Sequence, residues 1–67
     1  MSVYKVIELV GTSSNSWEEA SKSAIDKANE SLRDLRIAEI VKLDMRLEEG
    51  KIVEYRARVA VSFKFDG

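Results

Sequence analysis

Cysteine and histidine are both absent from the 67-residue chain. Without cysteine there is no disulfide and no thiolate metal site. Without histidine there is no serine–histidine catalysis, no imidazole-ligated zinc and no histidine pH switch. Positive charge is not in excess either: 11 basic residues face 12 acidic ones, for a net charge of -1. Nucleic-acid binding usually brings a surplus of Lys and Arg, so no nucleic-acid partner is expected. No apolar run is long enough to span a bilayer, and residues 1–12 carry too many charges for a secretory signal. The expectation is a cytoplasmic protein with no membrane partner. No paired acid and base, activated nucleophile or metal cluster stands out, so the chain does not read as an enzyme.

What is present is enough for one small domain, residues 1–67, near the lower size at which a single core stabilises itself. Residues 3–10, rich in β-branched and aliphatic types and closed by Gly11, read as a first strand. Thr12 to Asn15 reads as a polar loop. Ser16-Trp17-Glu18-Glu19 has the form of a capping box. In it Ser16 accepts from the backbone of Glu19, and the Glu19 side chain reaches back to the backbone of Ser16. From Trp17 to about Asp34 the chain lacks Gly and Pro. Trp17, Ala20, Ala24, Ala28, Leu32 and Leu35 form one apolar stripe, whose alanines let another surface approach closely.

Two further strands follow, the first from Ile37 to Glu48 and the second from Ile52 to Phe65. In the first, Glu39 and Ile40 interrupt an otherwise regular alternation. Charge fixes the register between the two. A three-residue loop, Glu49-Gly50-Lys51, pairs Met45 with Tyr55 and Leu43 with Ala57. It also sets Arg46 against Glu54 and Asp44 against Arg56. The expected fold is α+β: a β-α-β-β subunit with a three-stranded antiparallel sheet wrapped on one helix. A fourteen-residue strand would span roughly 46 Å, whereas a compact chain of this size has a radius of gyration of about 11 Å. Long uncovered strands invite pairing with other chains, and this points to a closed homo-oligomer.

"VYKVIELVGTS" at 3–13, the capped helix, "AEIV" at 38–41 and "YRARVAVSFKF" at 55–65 together resemble the dodecins. That resemblance implies a hollow homododecamer built from β-α-β-β subunits, which stores or sequesters a small ligand. Many dodecins bind flavins between a tryptophan just after the helix and a glutamine on the last strand. Here Ile37 stands at the tryptophan position and Arg56 at the glutamine position. Isoleucine has no π-face, and arginine has donors only. The resemblance therefore implies a flavin pocket with both of its key groups replaced. Trp17 lies elsewhere, at the first helical turn, and reads as a packing anchor.

"MSVYKVIELVGTS", Ser16-Trp17-Glu18, Asp44-Met45 and Tyr55-Arg56 are more similar to a flavin-less branch, the calcium dodecins. That branch implies a calcium ion on each subunit, with six to eight oxygen ligands. Ser13, Asn15, Ser16 and Glu19, joined by Asp44, are the candidate metal residues. Each also has a structural explanation: capping for Ser16 and Glu19, turn chemistry for Asn15, and the pair with Arg56 for Asp44. The expected function is calcium binding in a dodecameric shell that holds flavin poorly. Storage of riboflavin or FMN is the alternative.

Overall fold

The computed structural model describes residues 1–65. Its elements run β1 (Tyr4–Ser13), α1 (Trp17–Ser31), β2 (Leu35–Glu48) and β3 (Lys51–Lys64). The β-α-β-β order is the expected one. All pairings are antiparallel, and β3 lies between β1 and β2. The last strand is therefore the central one, consistent with its uninterrupted alternation of apolar residues.

Two boundaries differ from the sequence reading. β1 continues through Gly11, Thr12 and Ser13, because Ser13 still pairs with Tyr55. The polar run begins as a strand, and only Ser14 and Asn15 are left to turn the chain into Ser16. The helix stops at Ser31, three residues before Asp34. Leu32 leaves helical geometry, keeps a bond from its N–H to the carbonyl of Ala28, and packs its side chain against the core. Asp34 then takes a positive φ of 57°, which a short polar side chain tolerates better than most.

The hairpin register is as charge predicts: Met45–Tyr55, Leu43–Ala57, Arg46–Glu54 and Asp44–Arg56 are all opposed. The loop is different. Glu48 pairs with Lys51, so only Glu49 and Gly50 form the turn, with φ values of 51° and 76°. Two consecutive positive values are the signature of the tight turn whose twist matches that of the flanking strands. Such a turn opposes odd positions to even ones, as Leu47 opposite Ile52 shows. An extra residue in β3, Val53, then shifts the pairing by one and restores the charge-matched register. β2 has two bulges of its own, at Arg36 and Val41. The second explains why Glu39 and Ile40 interrupt the alternation.

Odd-numbered residues of β1 and β3 face the helix. Gly11, Ala57, Val59 and Val61 are buried there, against Ala20, Ala24 and Ala28. Ile7, Leu9, Ile25, Leu32 and Leu35 border this cluster. A side chain at Gly11 would overlap the carbonyl oxygen of Ala20 and come within 3.0 Å of the Ala24 Cβ. Gly11 and the alanines together let strand and helix touch backbone to backbone. Since α1 lies over β1 and β3 and barely reaches β2, Ile40, Leu43, Met45 and Leu47 remain exposed. The described chain extends 51 × 19 × 15 Å, with a radius of gyration of 13.7 Å.

Candidate functional site

The turn entering α1 is organised around Ser13. Its Oγ accepts from the backbone N–H of Asn15 at 2.9 Å and of Ser16 at 3.3 Å. The Ser16 Oγ accepts from the backbone of Glu19 at 3.0 Å, which is the first half of the capping box. The second half is replaced. The N–H of Ser16 is held by Ser13, while the Glu19 carboxylate accepts from the Asn15 amide at 3.2 and 3.3 Å. Sequence reasoning missed this swap because it placed Ser13 in a loop rather than at the end of a strand.

Ser13, Asn15, Ser16 and Glu19 thus come together. The Asp44 carboxylate does not join them. It lies on the sheet face turned away from the helix, where both its oxygens accept from Arg56, at 2.7 and 3.2 Å. Only the main-chain carbonyl of Asp44 approaches the helix start, accepting from the Trp17 indole N–H at 3.0 Å. Trp17 also meets the ring of Tyr55 edge-on, with centroids 5.1 Å apart. It is the packing anchor expected, and it clamps the hairpin to the helix.

The fit of this turn to calcium is partial. Glu19 supplies its single carboxylate, and Asn15 and the two serines supply neutral oxygens. Among the described residues no three acidic side chains gather as a metal cluster. A calcium ion takes six to eight oxygens, and the positive end of a helix macrodipole disfavours a cation. One chain offers part of a coordination shell and no more.

The flavin-pocket positions do not meet within one chain. Ile37 pairs with Ser62 and Arg56 with Asp44, so both face away from the helix, six positions apart along β3. That separation is about 20 Å. Ile37 is 68% exposed. The hollow beside it, bounded by Ile25, Asn29, Leu35 and Val61, has a volume of about 230 Å³. Small-molecule sites usually measure roughly 300–1,000 Å³. No buried side-chain nitrogen or oxygen among the described residues lacks a partner, so the interior holds no polar group waiting for a ligand.

The outer face of the sheet carries rows of charge. Arg46 contacts Glu54 at 3.4 Å and Glu48 at 2.7 Å; Arg56 holds Asp44; Arg58 reaches Glu8 at 3.4 Å. The hydrogen bond from Arg56 holds the Asp44 carboxyl below the usual carboxylate range, with Lys42 and Arg58 adding to the effect. Asp44 in turn raises the pKa of Arg56, chiefly through the same hydrogen bond.

The fold recurs in known proteins. A family model for dodecins matches residues 3–66. The chain belongs to the dodecin family. Among its relatives, the calcium dodecin of Mycobacterium tuberculosis is 44% identical over 64 residues, covering 96% of this chain and 90% of the relative. The dodecin of Thermus thermophilus is 34% identical over 64 residues, covering 96% and 93%. The crystal structure of the M. tuberculosis protein, a calcium chelating antigen with a calcium-binding site, superposes on this dodecin with a TM-score of 0.85. It is 46% identical, with 96% and 91% of the two chains covered. A point mutant of the T. thermophilus dodecin gives a TM-score of 0.91 at 33% identity, with both chains fully covered. The fold of this dodecin is thus that of its solved relatives along nearly its whole length.

Proposed function

We propose that this dodecin is a binding and storage protein without catalytic activity, which works in the cytoplasm as a closed shell of twelve subunits. The observation that carries the reading is the uncovered helix side of β2. Ile40, Leu43, Met45 and Leu47 present apolar side chains beyond the reach of α1, on a chain whose own core consists of alanines and two valines. Such a surface on so small a core calls for neighbouring copies to cover it.

Calcium is the proposed ligand. The supporting facts are the 44% identical calcium dodecin and the gathering of Ser13, Asn15, Ser16 and Glu19 at one turn, where Asn15 and Glu19 are exposed. Because one chain supplies a single carboxylate there, a full shell needs oxygens from another subunit or from water. Asp44 would join only on leaving Arg56. Storage of riboflavin or FMN is the weaker reading, since Ile37 offers no ring and Arg56 is already held at both oxygens of Asp44.

Native mass spectrometry with and without a calcium chelator tests both parts. The expected particle contains twelve copies of the 7.6 kDa chain and gains mass in calcium. Glu19→Gln should lower that uptake. A stable folded monomer would overturn the assembly, and a calcium-insensitive mass would overturn the ligand.

A further inference from the structure

We propose that the open edge of β1 receives β2 of a second copy of this chain, so that neighbouring subunits share one continuous sheet. This contact rests on the closed assembly proposed above and names the two surfaces that meet in it. β3 occupies the middle of the sheet, which leaves one edge of β1 and one edge of β2 unpaired among the described residues. Phe65 donates its N–H to the carbonyl of Val3 at 2.8 Å. The unbroken register from Tyr4 to Ser13 then turns the backbone groups of Val6, Glu8, Val10 and Thr12 outward. β1 has no bulge and no proline to blunt that edge. Beside it lies a groove of about 590 Å³, bounded by Leu9 to Thr12 and by the flank of α1 that bears Glu19, Ser23, Lys27 and Glu30.

The helix decides which strand can enter. α1 rests directly on β1, where the Ala20 carbonyl oxygen would overlap any side chain at Gly11. Paired strands lie about 4.8 Å apart, whereas packed helices need about 8–10 Å between their axes. Two β1 edges therefore cannot pair with each other, because their helices would collide. An entering strand must be bare on its helix side, and β2 is: Leu43, Met45 and Leu47 are exposed there. These three follow the bulge at Val41, on a stretch of β2 with no bulge of its own. Seated in the groove, they meet Leu9, Ala24 and the aliphatic stems of Lys22 and Lys27, whose ammonium groups stay in water. The area suffices. Four outward residues of β1 and six of the α1 flank are exposed. With 5136 Å² spread over 67 residues, or about 77 Å² each, these ten present about 770 Å². A stable contact covers roughly 800 Å² on each partner. Pairing β2 with β2 would leave every β1 edge open. Joining β1 to β2 uses both edges of every copy, in the head-to-tail contact from which closed rings are built.

The test blocks each surface separately. Val10→Pro removes an outward N–H of β1, and Ser23→Arg fills the groove from the exposed flank of α1. Leu43→Lys puts a charge on the bare side of β2. Native mass spectrometry sizes each variant alone and in equal mixtures, and Trp17 fluorescence checks that each is folded. Each variant alone is expected to lose the wild-type particle. Mixing Ser23→Arg with Leu43→Lys should yield mixed particles holding the two chains in equal number, since each supplies the surface that the other lacks. If Val10→Pro does not fold, Ser23→Arg carries the same test. A full-sized particle in Ser23→Arg would overturn the groove as the docking site and leave the closed assembly standing. Loss of the particle in every variant, with no mixed particle on mixing, would overturn the pairing of β1 with β2. A monomeric wild type would instead overturn the assembly, and this contact with it.

Discussion

Trp17 donates its indole N–H to the main-chain carbonyl of Asp44, 3.0 Å away and 27 residues later in the chain. Through this one bond the first residue of the helix grips the middle of the hairpin. The same hairpin residue then turns its carboxylate to the opposite side of the sheet, where Arg56 receives it. Helix, β2 and β3 are thus tied together at a single residue, Asp44.

Trp17→Phe keeps an aromatic ring beside Tyr55 and deletes the donor. Loss of one hydrogen bond to a partly buried carbonyl should destabilise the protein by about 1 kcal/mol. Chemical denaturation at fixed protein concentration would read this as a lowered midpoint with an unchanged slope. No change would mean that the indole bond does not help to hold the hairpin.

The turn offers a gain instead. Glu49 adopts a φ of 51°, a conformation unfavourable for a glutamate and common for asparagine. Glu49→Asn creates the Asn-Gly pair preferred in such turns and should stabilise the protein by up to about 1 kcal/mol. Gly50→Ala should do the reverse: the space around it is open, but its φ is 76°. A rise in thermal midpoint for the first variant and a fall for the second are the expected pair of results.

Acid should weaken the hairpin through Asp44. Its folded-state pKa lies below the ordinary value because Arg56 hydrogen-bonds the carboxylate. Stability from this pair is therefore fully present above the unfolded pKa of about 4 and is lost as pH falls through the lower folded value. Asp44→Asn should flatten that part of the stability profile below pH 4 and change little of its shape between pH 6 and 8. An unaltered acid limb in the variant would show that other carboxylates govern it.

Flavin affinity tests the two replaced pocket positions. If ring stacking governs binding in this family, Ile37→Trp should tighten riboflavin and FMN binding. One aromatic pair contributes roughly 0.5–1.5 kcal/mol, or about 2- to 12-fold in the dissociation constant. Two symmetry-related rings would square that factor. Fluorescence quenching during titration gives the constants for both proteins. Submicromolar binding by the unaltered chain, unimproved by the tryptophan, would show that position 37 does not control the ligand.

The element order and the register were legible because patterns two and three or four residues apart map directly onto faces. Asp44 opposite Arg56 follows from charge alone. The turn was not legible, because Val53 looks like any other apolar residue of an alternating strand. Its role as the extra residue depends on Glu49 accepting a positive φ. Ser13 was misplaced for a related reason: serine suits a loop, and only its pairing with Tyr55 keeps it in β1. At the candidate calcium turn the four gathered residues are close in sequence, and sequence could propose them. Asp44 is remote, and which side of the sheet its carboxylate takes depends on register.

The alanines beneath the helix reverse the usual direction of mutational risk. In most proteins harm in the interior comes from losing atoms. Here Ala20, Ala24 and Ala28 have almost nothing to lose, and Gly11 has no side chain at all. Every change at these four sites other than alanine to glycine adds bulk where helix and strand already touch, and overpacking commonly costs about 1–3 kcal/mol. Evolutionary drift at this seam is therefore bounded from above. Lineages can shrink its alanines to glycine, but they cannot enlarge any of the four without prising the helix off the sheet.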